Sequence, residues 1–95
     1  MSDDGTHVTL RLFGGLREAV GQPEVSLKCV GETVTDTLAR FAEERENVRR
    51  FIFDGEGNPW PSLILMLNDE PVKDGRTTRV EAGDVVTILL PLAGG

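Results

Sequence analysis

Residues 82–95 read AGDVVTILLPLAGG: a Gly-Asp turn, an apolar run, a proline and two terminal glycines. Residues 85–90 (VVTILL) have the aliphatic, β-branched composition of a strand. Pro91 ends it, because proline has no N–H to give to a ladder. Gly94-Gly95 cannot anchor a fold, since glycine is the residue least able to hold a fixed shape. The bland reading of residues 91–95 is a frayed end. The functional reading is a bare arm held at its base by a buried strand. Five extended residues reach roughly 16 Å, enough to enter a narrow channel in another protein and present a carboxylate there.

Working backward from that strand, the rest of the chain supplies its neighbours. Residues 7–13 (HVTLRLF) alternate, with Val8, Leu10 and Leu12 on one face, and predict a strand. Gly14-Gly15 breaks it, and LREAVGQ follows as a short helical turn. Residues 24–30 (EVSLKCV) alternate again, placing Val25, Leu27 and Cys29 inward. Two strands this close suggest an antiparallel pair. The period then changes. Val34, Leu38, Phe41 and Ala42, then Val48 beyond Arg45, follow the 3.6-residue spacing and predict a helix over residues 34–46. Thr33 with Asp36 three residues later makes a variant capping box at its start.

Residues 50–60 (RFIFDGEGNPW) read as a turn-rich connection. Residues 63–67 are continuously apolar, as in a central strand covered on both faces. Asn68-Asp69 turns the chain, and residues 70–72 can form only a short edge strand because of Pro71. The order is therefore β-β-α-β-β-β within 95 residues. A hairpin, one helix, then returning strands let a sheet fold round that helix. This is an α+β architecture, the ubiquitin-like β-grasp: a mixed sheet of about five strands on one main helix, with a flexible C-terminal Gly-Gly tail. The expected division is a disordered start over residues 1–6, one domain over 7–90 and the tail over 91–95. One helix covers only one face of the sheet. Ile64 and Met66, with Phe13, are therefore candidates for an exposed apolar partner surface; the other reading packs them under the 50–60 loop.

Composition bounds the partners. The net charge is −6, from 16 acidic and 10 basic residues, and nucleic-acid binding needs a basic face instead. No apolar run approaches membrane-spanning length, and MSDDGTH is not a signal peptide. Neither nucleic acid nor membrane is an expected partner. The lone Cys29 cannot form an internal disulfide, which suits a reducing, cytoplasmic setting. Only Lys28 and Lys73 are lysines, against eight arginines. Acid excess with few lysines is a habit of proteins from salt-loving organisms; chance variation in a GC-rich genome also produces it.

LFGGLREAVG at 12–21, ETVTDTL at 32–38, FDGEGN at 53–58, LND at 67–69 and AGDVVTILLPLAGG at 82–95 together resemble the MoaD/ThiS family of ubiquitin-like proteins. That family includes the small molybdopterin-synthase subunit, the thiamine sulfur carrier and the small archaeal ubiquitin-like modifiers, and this chain is closest in character to the last. Family members usually carry two prolines before the tail; here Leu90 stands in the first place and Pro91 in the second. LND replaces the more usual Asn-Gly turn.

The resemblance implies a carrier rather than an enzyme. An E1-like activating enzyme, using ATP and Mg, would join the Gly95 carboxylate to AMP. Gly94 would be required for access to a narrow channel, and Pro91, Leu92 and Ala93 would line the approach. A target lysine attacking the adenylate, directly or through a thioester, gives an isopeptide bond. A persulfide sulfur gives a thiocarboxylate. The implied partners are the activating enzyme, lysine-bearing target proteins, the molybdopterin-synthase large subunit, and a desampylating metalloprotease that would remove the modifier. Lys28 and Lys73 are the side-chain acceptors if chains form. No bound cofactor is expected, and a monomer is. The alternative is a dedicated sulfur donor in molybdenum-cofactor biosynthesis, the small subunit of molybdopterin synthase.

Other chemistry finds little support. One His and one Cys do not make a zinc site. Cys29 reads as a small core residue. Ser26 and Ser62 have no discernible base. Gly14-Gly15 and residues 55–57 are too short and too acidic in their flanks for a phosphate cradle. Trp60, between two prolines, reads as loop packing. EERE at 43–46 reads as the solvated end of the helix, or as a surface for a basic patch on the activating enzyme.

Overall fold

A computed structural model describes residues 7–28 and 32–89. The expectations placed on residues 1–6, Cys29, Leu90, Pro91, Leu92, Ala93, Gly94 and Gly95 lie outside the described residues.

Alternation builds the sheet. β1 (His7–Leu12) buries Val8, Leu10 and Leu12 and pairs antiparallel with β2 (Glu24–Lys28). Between them α1 (Gly15–Val20) seats Leu16 in the core. Gly21 closes α1 at φ 85°, donating to the Arg17 carbonyl at 2.8 Å, a left-handed cap that suits glycine. β3 (Ile64–Leu67), β4 (Glu70–Pro71) and β5 (Val85–Leu89) complete a five-stranded sheet in the order β2-β1-β5-β3-β4. β1 and β5 run parallel and every other pair antiparallel. This is the mixed β-grasp sheet that the element order predicts, with the last strand at its centre.

α2 (Val34–Glu44) covers one face. Thr33 and Asp36 form the reciprocal cap: the Asp36 N–H donates to Thr33 Oγ1 and the Thr33 N–H to Asp36 Oδ2, both at 3.2 Å. Two of the orphan N–H groups of the first turn are thereby satisfied. Val34, Leu38, Phe41 and Ala42 are buried at the spacing read from the sequence.

The helix ends two residues before the expected position. Arg45 turns away at φ −136°, and the chain recoils as a 3₁₀ turn over Glu46–Val48 and then α3 (Arg49–Ile52). The recoil brings Val48, Ile52 and Phe53 into the core. The opening of residues 50–60 is thus helical through Ile52, with Ile52 and Phe53 buried, rather than a connecting loop. α3 has four residues, too few to leave a periodic signal. Val80 also enters the core, tied by its N–H to the Glu32 carbonyl.

β3 differs from its sequence reading in a second way. It is the fourth strand of five, not the centre, and its uncovered face remains open at Ile64. The Asn68-Asp69 turn has positive φ at both residues, 52° and 73°, the I′ geometry whose twist matches a tight hairpin.

Candidate partner surface at the base of the C-terminal segment

Strand parity decides which side chains face outward. In β5, Val86 and Ile88 are buried in the same core as Val34, Leu38 and Phe41 of α2. Val85, Thr87 and Leu89 therefore project to the uncovered face. Leu89 stands opposite Ile64 across β5 and β3, and Met66 stands between Thr87 and Pro71. Ile64 is 46% exposed and Leu89 37%; Met66 is half-buried. Phe13 follows inward-facing Leu12 and so turns outward; it is half-buried, and its N–H donates to the Ile88 carbonyl at 3.3 Å. The sequence-derived residues Phe13, Ile64 and Met66 thus share one face, around the end of β5 from which residues 90–95 continue.

Leu89 belongs to this surface and was missed when the strand was read as one apolar block. The signal was present: if Val86 and Ile88 face inward, Leu89 cannot.

The base of the strand is held by polar contacts. The Asn68 Nδ2 donates to Asp84 Oδ1 at 3.0 Å, while Asn68 Oδ1 accepts from the Val85 N–H at 2.9 Å. Asp84 Oδ2 accepts from the Glu81 N–H at 2.7 Å. The two turns flanking β5 and β3 are thereby locked together, which fixes the register that sets Leu89 opposite Ile64.

Lys28 and Lys73 are both exposed, Lys28 at the end of edge strand β2 and Lys73 two residues beyond β4. Trp60 is 41% exposed, yet its Nε1–H donates to the Arg50 carbonyl at 2.9 Å, which pins the ring against the loop. It borders an open cleft of about 780 Å³ with Phe53, Arg49 and Arg50. Glu43, Glu44 and Glu46 are exposed. Among the described residues, no group of three or more His, Cys, Asp or Glu converges to hold a metal ion, and no helix is long and apolar enough to cross a membrane.

The family model of the ThiS family matches residues 10–95. The chain belongs to the ThiS family. Within it, the chain is 33% identical over 88 residues to small archaeal modifier protein 3 of Haloferax volcanii, covering 90% of this chain and 96% of that one. The solution structure of small archaeal modifier protein 1 from Methanosarcina acetivorans superposes with a TM-score of 0.80 at 30% identity, covering 95% of this chain and 97% of that one. The crystal structure of the Haloferax volcanii protein 1 gives a TM-score of 0.84 at 23% identity, over 94% and 99%; at that identity the likeness bears on the fold.

Proposed function

We propose that this chain is a ubiquitin-like protein modifier, a substrate and carrier whose catalytic groups belong to its partners. A free carboxylate is a poor electrophile. An E1-like enzyme with Mg-ATP joins the Gly95 carboxylate to the α-phosphate of ATP and releases pyrophosphate. A target lysine amine then attacks the acyl carbon, AMP leaves, and an isopeptide bond remains. The terminal sulfur of a persulfide displaces AMP from the same acyl-adenylate to give an acyl disulfide, and a second thiol that attacks the inner sulfur forms a disulfide with it and releases the thiocarboxylate. Gly94 carries no Cβ to crowd the channel.

The observation that carries this reading is the apolar surface of Ile64, Leu89, Met66 and Phe13 at the end of β5. An exposed apolar patch on a small domain marks a protein partner. Here it sits where an activating enzyme would grip the domain while threading residues 90–95 into its own site. The kinship to proteins named as modifiers favours conjugation over dedicated sulfur donation.

Mass spectrometry of the protein and its conjugates from native cells tests the proposal. No Lys or Arg follows Arg79, so trypsin leaves VEAGDVVTILLPLAGG on a modified lysine. That remnant on other proteins is the expected result. Free protein with sulfur replacing one carboxylate oxygen, and no conjugates, would make the chain a dedicated sulfur donor instead.

A further inference from the structure

Among the described residues β2 is an edge strand, paired only with β1. Thr9 and Phe13 of the β1 segment donate to Asp84 and Ile88 on the β5 side, and Leu12 donates to Pro23 on the β2 side. Bond direction alternates along a strand, so the even residues of β1 face β2. With Val8 opposite Leu27 and Leu10 opposite Val25, Val25 and Leu27 are the β2 residues bonded to β1. Glu24, Ser26 and Lys28 therefore turn their N–H and C=O groups toward the open edge, and all three are exposed.

We propose that β2 pairs antiparallel with β2 of a second copy of this chain, about a two-fold axis at Ser26. The sequence EVSLK is self-complementary in that register. Ser26 faces Ser26, Glu24 faces Lys28 of the second copy, and Val25 faces its Leu27. The outward residues form hydrogen-bonded pairs that exchange two bonds each, about six in all.

Both faces of the junction match. On the uncovered face Glu24 already lies 3.8 Å from Arg11, and Lys28 stands opposite His7. The row across the junction becomes Arg11, Glu24, then Lys28 and His7 of the second copy. On the covered face the row is Leu10, Val25, then Leu27 and Val8 of the second copy, apolar throughout.

Other registers lose this match. A one-residue shift turns apolar side chains to the wrong face. A two-residue shift leaves both charges without partners, and parallel pairing sets Glu24 beside Glu24. The opposite edge, β4, has two residues, one of them Pro71, and cannot compete.

Five residues a side bury less than a stable interface needs, so the pair is weak and forms at high protein concentration; dilute chain is monomeric. β3 and β5, with Ile64 and Leu89, lie away from the junction. The ends of the two β5 strands point in opposite directions. Each copy keeps its partner surface, while Lys28 is engaged and Lys73 is left accessible.

Sedimentation velocity of the full chain, at about 0.15 M salt where repulsion is screened beyond about 8 Å, is expected to show a monomer–dimer equilibrium with a Kd of about 0.1–1 mM. Lys28→Glu and Glu24→Lys each set like charges face to face twice and weaken self-association by about tenfold. Mixing the two variants restores opposite charges at both places, so a heterodimer forms where neither homodimer does. Ser26→Pro abolishes pairing and keeps the fold, because the Ser26 N–H bonds to nothing within the sheet. A monomer at all concentrations, a dimer that survives Ser26→Pro, or a mixture no tighter than its separate variants would overturn the proposal.

Discussion

Ile64→Asp separates a partner surface from a core position. A fully buried isoleucine stabilises a fold by about 1.5–3 kcal/mol. Ile64 is 46% exposed, so the fold realises about half of that, near 1 kcal/mol. Aspartate in a strand costs up to about 1 kcal/mol more. The expected folding loss is about 2 kcal/mol, a fall in Tm of about 8–16 °C for a domain this size. The other half of the side chain becomes dry only against a partner. There the variant loses about 1 kcal/mol of apolar burial and must dehydrate a carboxylate, costing at least about 2 kcal/mol further. Binding should weaken by a hundredfold or more, at about 1.4 kcal/mol per decade. The assay is ATP–pyrophosphate exchange by the activating enzyme, well below the variant's Tm, with a thermal scan alongside. Ile88→Ala is the contrasting control. It is fully buried and should cost the fold about 2–5 kcal/mol. Exchange kinetics for Ile64→Asp within threefold of the parent would refute the assignment, and so would a Tm loss well beyond about 16 °C.

Deleting Gly94-Gly95 removes residues beyond the last strand, so stability should stay within about 0.5 kcal/mol; adenylation should vanish, and retained pyrophosphate exchange would count against Gly95 as the reacting end. Thr33→Ala removes the oxygen that accepts from the Asp36 N–H and should cost about 1 kcal/mol, a Tm fall of about 4–8 °C; an unchanged unfolding curve would show the cap to be dispensable. A Cβ at Gly75 would lie 2.7 Å from Thr35 Oγ1. Gly75→Ala should therefore destabilise by about 1 kcal/mol, and Thr35→Ala added to it should recover most of that loss; additive costs in the double variant would place the strain elsewhere.

Much of the site follows from short-range rules. The period-2 runs at Val8–Leu12 and at Val25–Leu27 assign an inner and an outer face without knowledge of any partner strand. The reciprocal cap of Thr33 and Asp36 needs only residues three apart, and it forms as spaced. The Asn68-Asp69 turn is likewise local. Lys28 and Lys73 are exposed because an ammonium stays in water unless paired. Phe13, Ile64 and Met66 were legible as surface candidates because one helix cannot cover both faces of a sheet.

Tertiary structure decided the remainder. An apolar run such as Leu63–Leu67 reads alike in a central strand and in one beside an edge. Which it becomes depends on β5 returning between β1 and β3, a pairing between residues some twenty and some eighty positions apart in the chain, and no local pattern encodes it. The same insertion puts Leu89 opposite Ile64 and so creates the apolar surface. α3 and Val80 were hidden because four residues are less than a full period of evidence, and an isolated buried valine has no period at all. The sequence by itself determined the five strands, the main helix, their order and the inward faces of the alternating runs, since these depend on neighbours within a turn or two. Only the closed sheet determined which outward faces meet, because that is settled by the free energy of burying the whole core at once.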